Sequence, residues 1–463
     1  MPDAAFTRHQ APSPTAYHRR LANLLSRRFE GLWAFFASEK VAEEATSQLG
    51  VEIRRRAYKL DPTDHASLYD AAREIAEAME ISVPVSLYQG EAAGRARNAA
   101  LFFDPAEAHV VLAGDLLRAL TSAELRFTLG HELAHHKLWT LDEGRLWTAN
   151  RLLQWATSQP TCAPAYSASA RLERLNTELY ADRYGLWAVG DLDPALRAQV
   201  KIASGQDDVS GAAYLAQAEA ALEEDPGPDG HGEGHLRAAL LAAWAHDPGI
   251  AEARAQSLIE GAPPLEQLDL LAQEALSDLT HAVLVEFLSD PWRGRDRLRE
   301  HAARISPQLS EAIDRGVRPS DPVDGLRAQI KSASPTVKEY LAYLILDFAT
   351  VDPELDEMIM AQALMFSSDF GFHTEFREVV ARELKITRTK LGEIEKNAEA
   401  ILARAESLLA DLDGGAFTPI TDPEAHDGAR RVLDRLERRN EAEIGAEGGP
   451  PFPPPRTAAG GAR

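Results

Sequence analysis

The chain has 463 residues, enough for two or three domains, and 45% of them are hydrophobic, as expected of a protein with a real core. Its 49 basic and 72 acidic side chains give a formal net charge of −23, which argues against nucleic acid as a partner and against docking on anionic lipid. Cys162 is the single cysteine, so no internal disulfide can form and the composition leans towards a cytoplasmic protein.

Residues 1–17 carry His, Arg and Pro but no apolar core, so they do not read as a secretory leader. The longest apolar runs, 238–245 and 341–346, fall short of the roughly 18–20 residues that a membrane span needs.

In chain order, Leu21, Leu24, Leu25, Phe29, Leu32, Trp33 and Phe36 recur at helical spacing, and 68–79 forms a second helix after Asp61-Pro62-Thr63-Asp64. Then come three β-rich runs, 83–89, 99–103 and 109–113, separated by turn-like stretches. They predict a small three-stranded sheet. Thr121 and Glu124 have capping-box spacing, so a helix should run from Ser122 to about Leu138. Residues 223–234 (rich in acid, Gly and Pro) read as a loop, 316–335 as a linker, and the Pro-rich tail beyond about 411 as disordered with one amphipathic candidate at 423–439. The expected class is α+β, predominantly helical. The expected divisions are a helical segment 1–63, a catalytic domain 64–250, a helical connector 251–333, an all-α domain 334–410 and a tail 411–463.

The chemistry concentrates in His131-Glu132-Leu133-Ala134-His135. On a helix, residues four apart share a face, so two imidazoles at this spacing can address one ion while Glu132 reaches its open side. A catalytic zinc needs a third protein ligand, and a later helix offers Glu178 and Asp182, again four apart. Glu178 would complete the ligand set, one zinc per chain. Asp182 would lie one turn deeper, able to accept the outer N–H of a ligand imidazole and fix its tautomer. His136 is turned about 100° from His135 and should face away from the ion.

Glu178-Leu-Tyr-Ala-Asp182-Arg-Tyr-Gly185 resembles the E-x-x-A-D-x-x-G element of the gluzincin metallopeptidases of the HtpX and CAAX-prenyl-protease branch. Ile81-Ser-Val-Pro84, Asn98-Ala99, 110–117 and Ala123-Glu124-Leu125 follow that branch's order of strands and helix, so the likeness covers about 64–245. It implies a minimal gluzincin fold, with 99–103 lying along the cleft as the strand that holds an extended peptide. The branch often carries a His-Pro followed six residues on by Arg. Here His231 and Arg237 stand at that spacing with Gly232 in place of the Pro. The resemblance implies that this His and Arg lie near the zinc, where a donor and a cation could stabilise an oxyanion. The branch is usually anchored by several apolar spans, and this chain has none.

Residues 337–357 place a helix, an acidic turn and a second helix in succession, which resembles the tellurite-resistance TerB-type helical domain. Asp347, Asp352 and Glu354 could hold a cation through oxygen, or could decorate a helix N-terminus. The leading expectation is a zinc-dependent endopeptidase acting on peptide or protein substrates, in which zinc polarises the scissile carbonyl and Glu132 takes the proton of the attacking water. A regulated role in stress or defence, with the C-terminal half as sensor or as dock for a regulatory partner, is consistent with the sequence. The rival reading is a scaffold protein with a structural or silenced zinc site, working through its helical C-terminal half.

Overall fold

The structure, a computed structural model, describes residues 11–38, 50–91 except 52 and 54, 97–224, 233–261, 263–288, 295–312 except 306–308 and 310, and 323–404. The chain divides into two compact units, Met1–Glu274 and Ala275–Arg463.

The first unit begins with α1 (Ala16–Arg28) and α2 (Glu30–Ala37), then β1 (Ala57–Lys59), α3 (Ala66–Ala78), β2 (Val85–Gly90), β3 (Asn98–Asp104) and β4 (Glu107–Ala113). The sheet has four strands in the order β1-β2-β4-β3, not three. The additional strand, β1, pairs antiparallel with β2 through only three residues. β2 and β4 run parallel, and β3 returns antiparallel to β4 across a two-residue turn at Pro105-Ala106. Asp104 Oδ1 accepts the Ala106 N–H there at 2.8 Å, an Asx turn that sets the hairpin. One face of the sheet presents Leu87, Ala108, Val110 and Leu112, all fully buried, to a core shared with Ala72 and Ile75 of α3. β3 is an edge strand.

Helices α4 (Leu116–Ala119), α5 (Ser122–Thr140), α6 (Arg145–Thr157), α7 (Pro164–Val189), α8 (Leu192–Ser204), α9 (Gly211–Glu224), α10 (Glu233–His246) and α11 (Pro248–Ile259) complete this unit. The expected capping box opens α5: Thr121 Oγ1 accepts the Glu124 N–H, and Glu124 Oε2 accepts the Thr121 N–H. Glu124 is nearly inaccessible and pairs with Lys201 at 2.9 Å and Arg197 at 3.1 Å. Burial opposes its charge, but the hydrogen bonds and charge of Lys201 hold its carboxyl below the usual range.

α5 and α7 cross at glycines. A Cβ on Gly130 would come within 2.7 Å of Ala188 Cβ, and one on Gly185 within 2.8 Å of the Phe127 ring and carbonyl. No side chain larger than hydrogen fits at either contact. This gives Gly185 of the E-x-x-A-D-x-x-G element a mechanical reason: it lets the two ligand-bearing helices approach.

The second unit continues through α12 (Leu270–Phe287), which starts in the first, to α13 (Asp296–Ile305), α14 (Val323–Ser332), α15 (Pro335–Thr350), α16 (Asp356–Phe370), α17 (His373–Leu384) and α18 (Arg388–Lys396). Its core joins Val283, Phe287 and Leu298 to Ile345, Phe348 and Phe376. Residues 275–305 therefore share one core with the helices that follow 334. Within the expected linker 316–335, residues 323–332 form a helix that buries Leu326 and Ile330. The acidic turn finds protein partners: Asp347 accepts from His301 Nε2, and Arg297 pairs with Asp352 at 3.1 Å and Glu354 at 3.8 Å. The cation reading of this turn is thus replaced by ion pairs with α13. Residues 411–463, including the amphipathic candidate, lie outside the described residues.

Among the described residues no helix is long and apolar enough to cross a membrane.

Candidate metal centre

His131 and His135 project from consecutive turns of α5, and Glu178 faces them from α7. His131 Nε2 and His135 Nε2 are 3.3 Å apart, and Glu178 places Oε2 3.4 Å from the first and Oε1 3.7 Å from the second. The three donor groups lie within 4.8 Å of one another, and they are the one such cluster of three or more His, Cys, Asp or Glu among the described residues. Two imidazoles and a carboxylate converging on a point are a donor set that zinc accepts, with a fourth position left open.

Asp182 fixes the first imidazole. It is fully buried one turn beyond Glu178, and its Oδ1 lies 2.9 Å from His131 Nδ1. A carboxylate there assigns the proton to Nδ1 and leaves the Nε2 lone pair free for an ion. His135 Nδ1 is buried with no hydrogen-bond partner. His136 faces elsewhere, as expected, with Nε2 3.0 Å from the Asp104 carbonyl.

Arg237 of α10 reaches this cluster, but its guanidinium is aimed at the carboxylates. Nε donates to Asp182 Oδ2 at 2.7 Å, Nη2 to Asp182 Oδ1 at 2.8 Å, and Nη1 lies 2.8 Å from Glu178 Oε2. Each of its three nitrogens thus meets a carboxylate oxygen, a forked contact that orders both acids. His231 lies outside the described residues.

The electrostatics follow from this packing. Taking the protein groups alone, burial raises the cost of the Asp182 and Glu178 charges, but Arg237 and His131 outweigh it. Asp182 is held well below the usual range and Glu178 at about 2. Burial lowers His131, yet its contacts with Asp182 and Glu178 reverse the shift and raise it to about 10. His135, desolvated beside the charged His131, falls to about 4. The potential that draws a proton onto His131 is also one that attracts a cation. Glu132 is pushed up to about 7 chiefly by burial. It also accepts a hydrogen bond from the Leu101 backbone, which ties the carboxyl to strand β3.

A cavity of about 860 Å³ opens over these groups and is lined by Asn98–Leu101 of β3 as well as by α5, α7, α8 and α10. Sequence reading missed several wall residues. Glu173, raised to about 7 mainly by burial, is held by Asn150 Nδ2 at 2.9 Å and Thr177 Oγ1 at 3.3 Å. Both amide atoms of Gln199 are buried without a partner. Arg171 and Arg174 stand on the same wall. The signal for the arginines was their spacing of seven and four residues before Glu178, on a helix that starts at Pro164.

Asp182→Asn should weaken zinc binding by roughly 10–100-fold. An amide cannot accept from both His131 and Arg237 while keeping its own N–H groups satisfied. Competition with a chromogenic chelator measures this, and unchanged affinity would show that Asp182 does not orient the ligand. Comparisons with protein-family models, with curated proteins and with solved structures find no match to this chain.

Proposed function

We propose that the chain is a zinc-dependent endopeptidase whose metal is held by His131, His135 and Glu178 and whose general base is Glu132. The observation that carries this reading is the convergence of two imidazoles and a carboxylate beside a buried Glu132, under a cavity bordered by an edge strand. The resemblance to the HtpX and CAAX-prenyl-protease branch of gluzincins supports it over the stretch 64–245.

A bound zinc would supply Lewis acidity, polarising the scissile carbonyl and making water a nucleophile near neutral pH. The chain's own residues do the rest. Among the described residues no strand lies beyond β3, so an extended peptide could add there as a further strand, its main chain pairing within residues 98–101. Glu132 takes a proton from the attacking water and returns it to the leaving nitrogen, a transfer suited to a carboxyl raised towards neutrality. Asp182 keeps the proton of His131 on Nδ1. Arg237 balances the buried carboxylates, so the site tolerates two acids beside the ligand imidazoles. The rival reading of a scaffold with a structural zinc would not need Glu132 in this place, because a structural site is closed by a fourth protein ligand.

The reading requires metal. Protein purified without chelator should carry one zinc per chain by elemental analysis, and a metal-free chain should take up one equivalent. A chain that binds no zinc at micromolar concentration would rule the reading out.

A further inference from the structure

Glu173 is a buried acid that the peptidase reading leaves without a task. It lies on α7 five residues before Glu178, is only 5% exposed, and lines the cavity together with Asn150 and Thr177. Its oxygens accept from two neutral donors, Asn150 Nδ2 at 2.9 Å and Thr177 Oγ1 at 3.3 Å. Thr177 has one hydroxyl proton, and with that proton given to Glu173 its oxygen accepts from His18 Nε2, 3.1 Å away. Burial holds His18 at about 3, so the imidazole carries a single proton, and its Nδ1 receives the Thr15 hydroxyl at 3.0 Å. Every donor in this chain, from the N-cap of α1 to α7, points towards the Glu173 carboxyl.

A hydrogen-bond chain of that polarity suits a charged acceptor, yet no cation completes it. Among the described residues none forms an ion pair with Glu173. His18 is neutral. Arg174 attracts the carboxylate only from a distance and is itself bound to Glu233 at 3.0 Å. Arg237 holds Asp182 and Glu178, and Arg171 is engaged as well. Taking a carboxylate out of water is expensive unless a cation joins it. Glu173 stands on the wall of a cavity of about 860 Å³, so the cation can arrive with whatever the cavity receives.

We infer that Glu173 is a cation-binding subsite of the cavity, where its carboxylate receives an ammonium or guanidinium group of the bound ligand. The inference rests on the peptidase reading only for the choice of peptides as ligands. Two sources share this chemistry, a Lys or Arg side chain and a peptide's free N-terminal amine.

The test uses the full-length, zinc-loaded Glu132→Gln chain in about 150 mM salt, where surface attraction is largely screened. Peptides labelled with fluorescein at the C-terminus are read by anisotropy. One set is acetylated and carries a single Lys or Arg, and a second has a free N-terminus and no basic side chain. The third is acetylated and has norleucine or Gln in place of the basic residue. At least one cationic set should bind about tenfold tighter than the third, and which one does so identifies the source. A chain of net charge −23 attracts any cation, so Glu173→Gln is compared with Glu77→Gln, which removes one charge from a side chain of α3 that is 73% exposed. Adding Glu173→Gln should erase the preference, and adding Glu77→Gln should leave it intact. Glu173→Asp keeps the charge but draws it back by one methylene, and should retain about a third of the preference. The inference is overturned if no peptide binds, if cationic and uncharged peptides bind alike, or if Glu77→Gln abolishes the preference as fully as Glu173→Gln. Should Glu173→Gln fail to fold, Glu173→Asp decides, and an undiminished preference there overturns the inference. If wild type cleaves none of the peptides that bind through Glu173, peptide hydrolysis fails and the cation subsite stands.

Discussion

Replacing His131, His135 or Glu178 by alanine is expected to strip the chain of its zinc. If a site of this kind binds with on the order of 10 kcal/mol shared among three protein ligands, each is worth about 3 kcal/mol, or roughly a hundredfold in affinity. Glu178→Ala should do further harm, because it also removes a carboxylate partner of Arg237, 2.8 Å away. His136→Ala is the control, since that imidazole turns to the Asp104 carbonyl. Its zinc content should match wild type. Elemental analysis of the four purified variants reads the outcome, and full occupancy in any of the three ligand variants would remove that residue from the site.

Glu132→Gln separates metal binding from chemistry. The carboxyl touches neither ligand imidazole in a hydrogen bond, so zinc content and thermal stability should stay near wild type. Turnover should fall by about a hundred- to ten-thousandfold, the usual contribution of a positioned general base, because an amide cannot accept the water's proton. The amide can still meet the Leu101 N–H through its oxygen, so the carboxyl's tie to β3 need not be lost. A variant that keeps its zinc and turns over at the wild-type rate would take the base role away from Glu132.

The parts legible in the sequence were those set by local geometry. Helix periodicity fixes the facing of His131 and His135, the Thr121–Glu124 box starts their helix, and Glu178 and Asp182 repeat the same four-residue logic on α7. What escaped depends on partners distant in the chain. β1 is three residues long and exists through its pairing with β2 some thirty residues on. Arg237 was placed at the site, but the aim of its guanidinium is set by acids on another helix. Asp347, Asp352 and Glu354 look like a cation cluster until α13 delivers His301 and Arg297 to them. The helix 323–332 did leave a trace, since Val323, Leu326 and Ile330 recur at helical spacing between the prolines that suggested a linker.

The most direct test of the central claim is an unbiased peptide-library digest by the full-length protein, run with zinc, after chelation, and after zinc is restored. Cleavage products should accumulate with time in the first sample, stop in the second and resume in the third with one equivalent of metal. Products that persist at full rate in the chelated sample, or a library left intact by the zinc-loaded chain, would contradict a zinc-dependent peptidase.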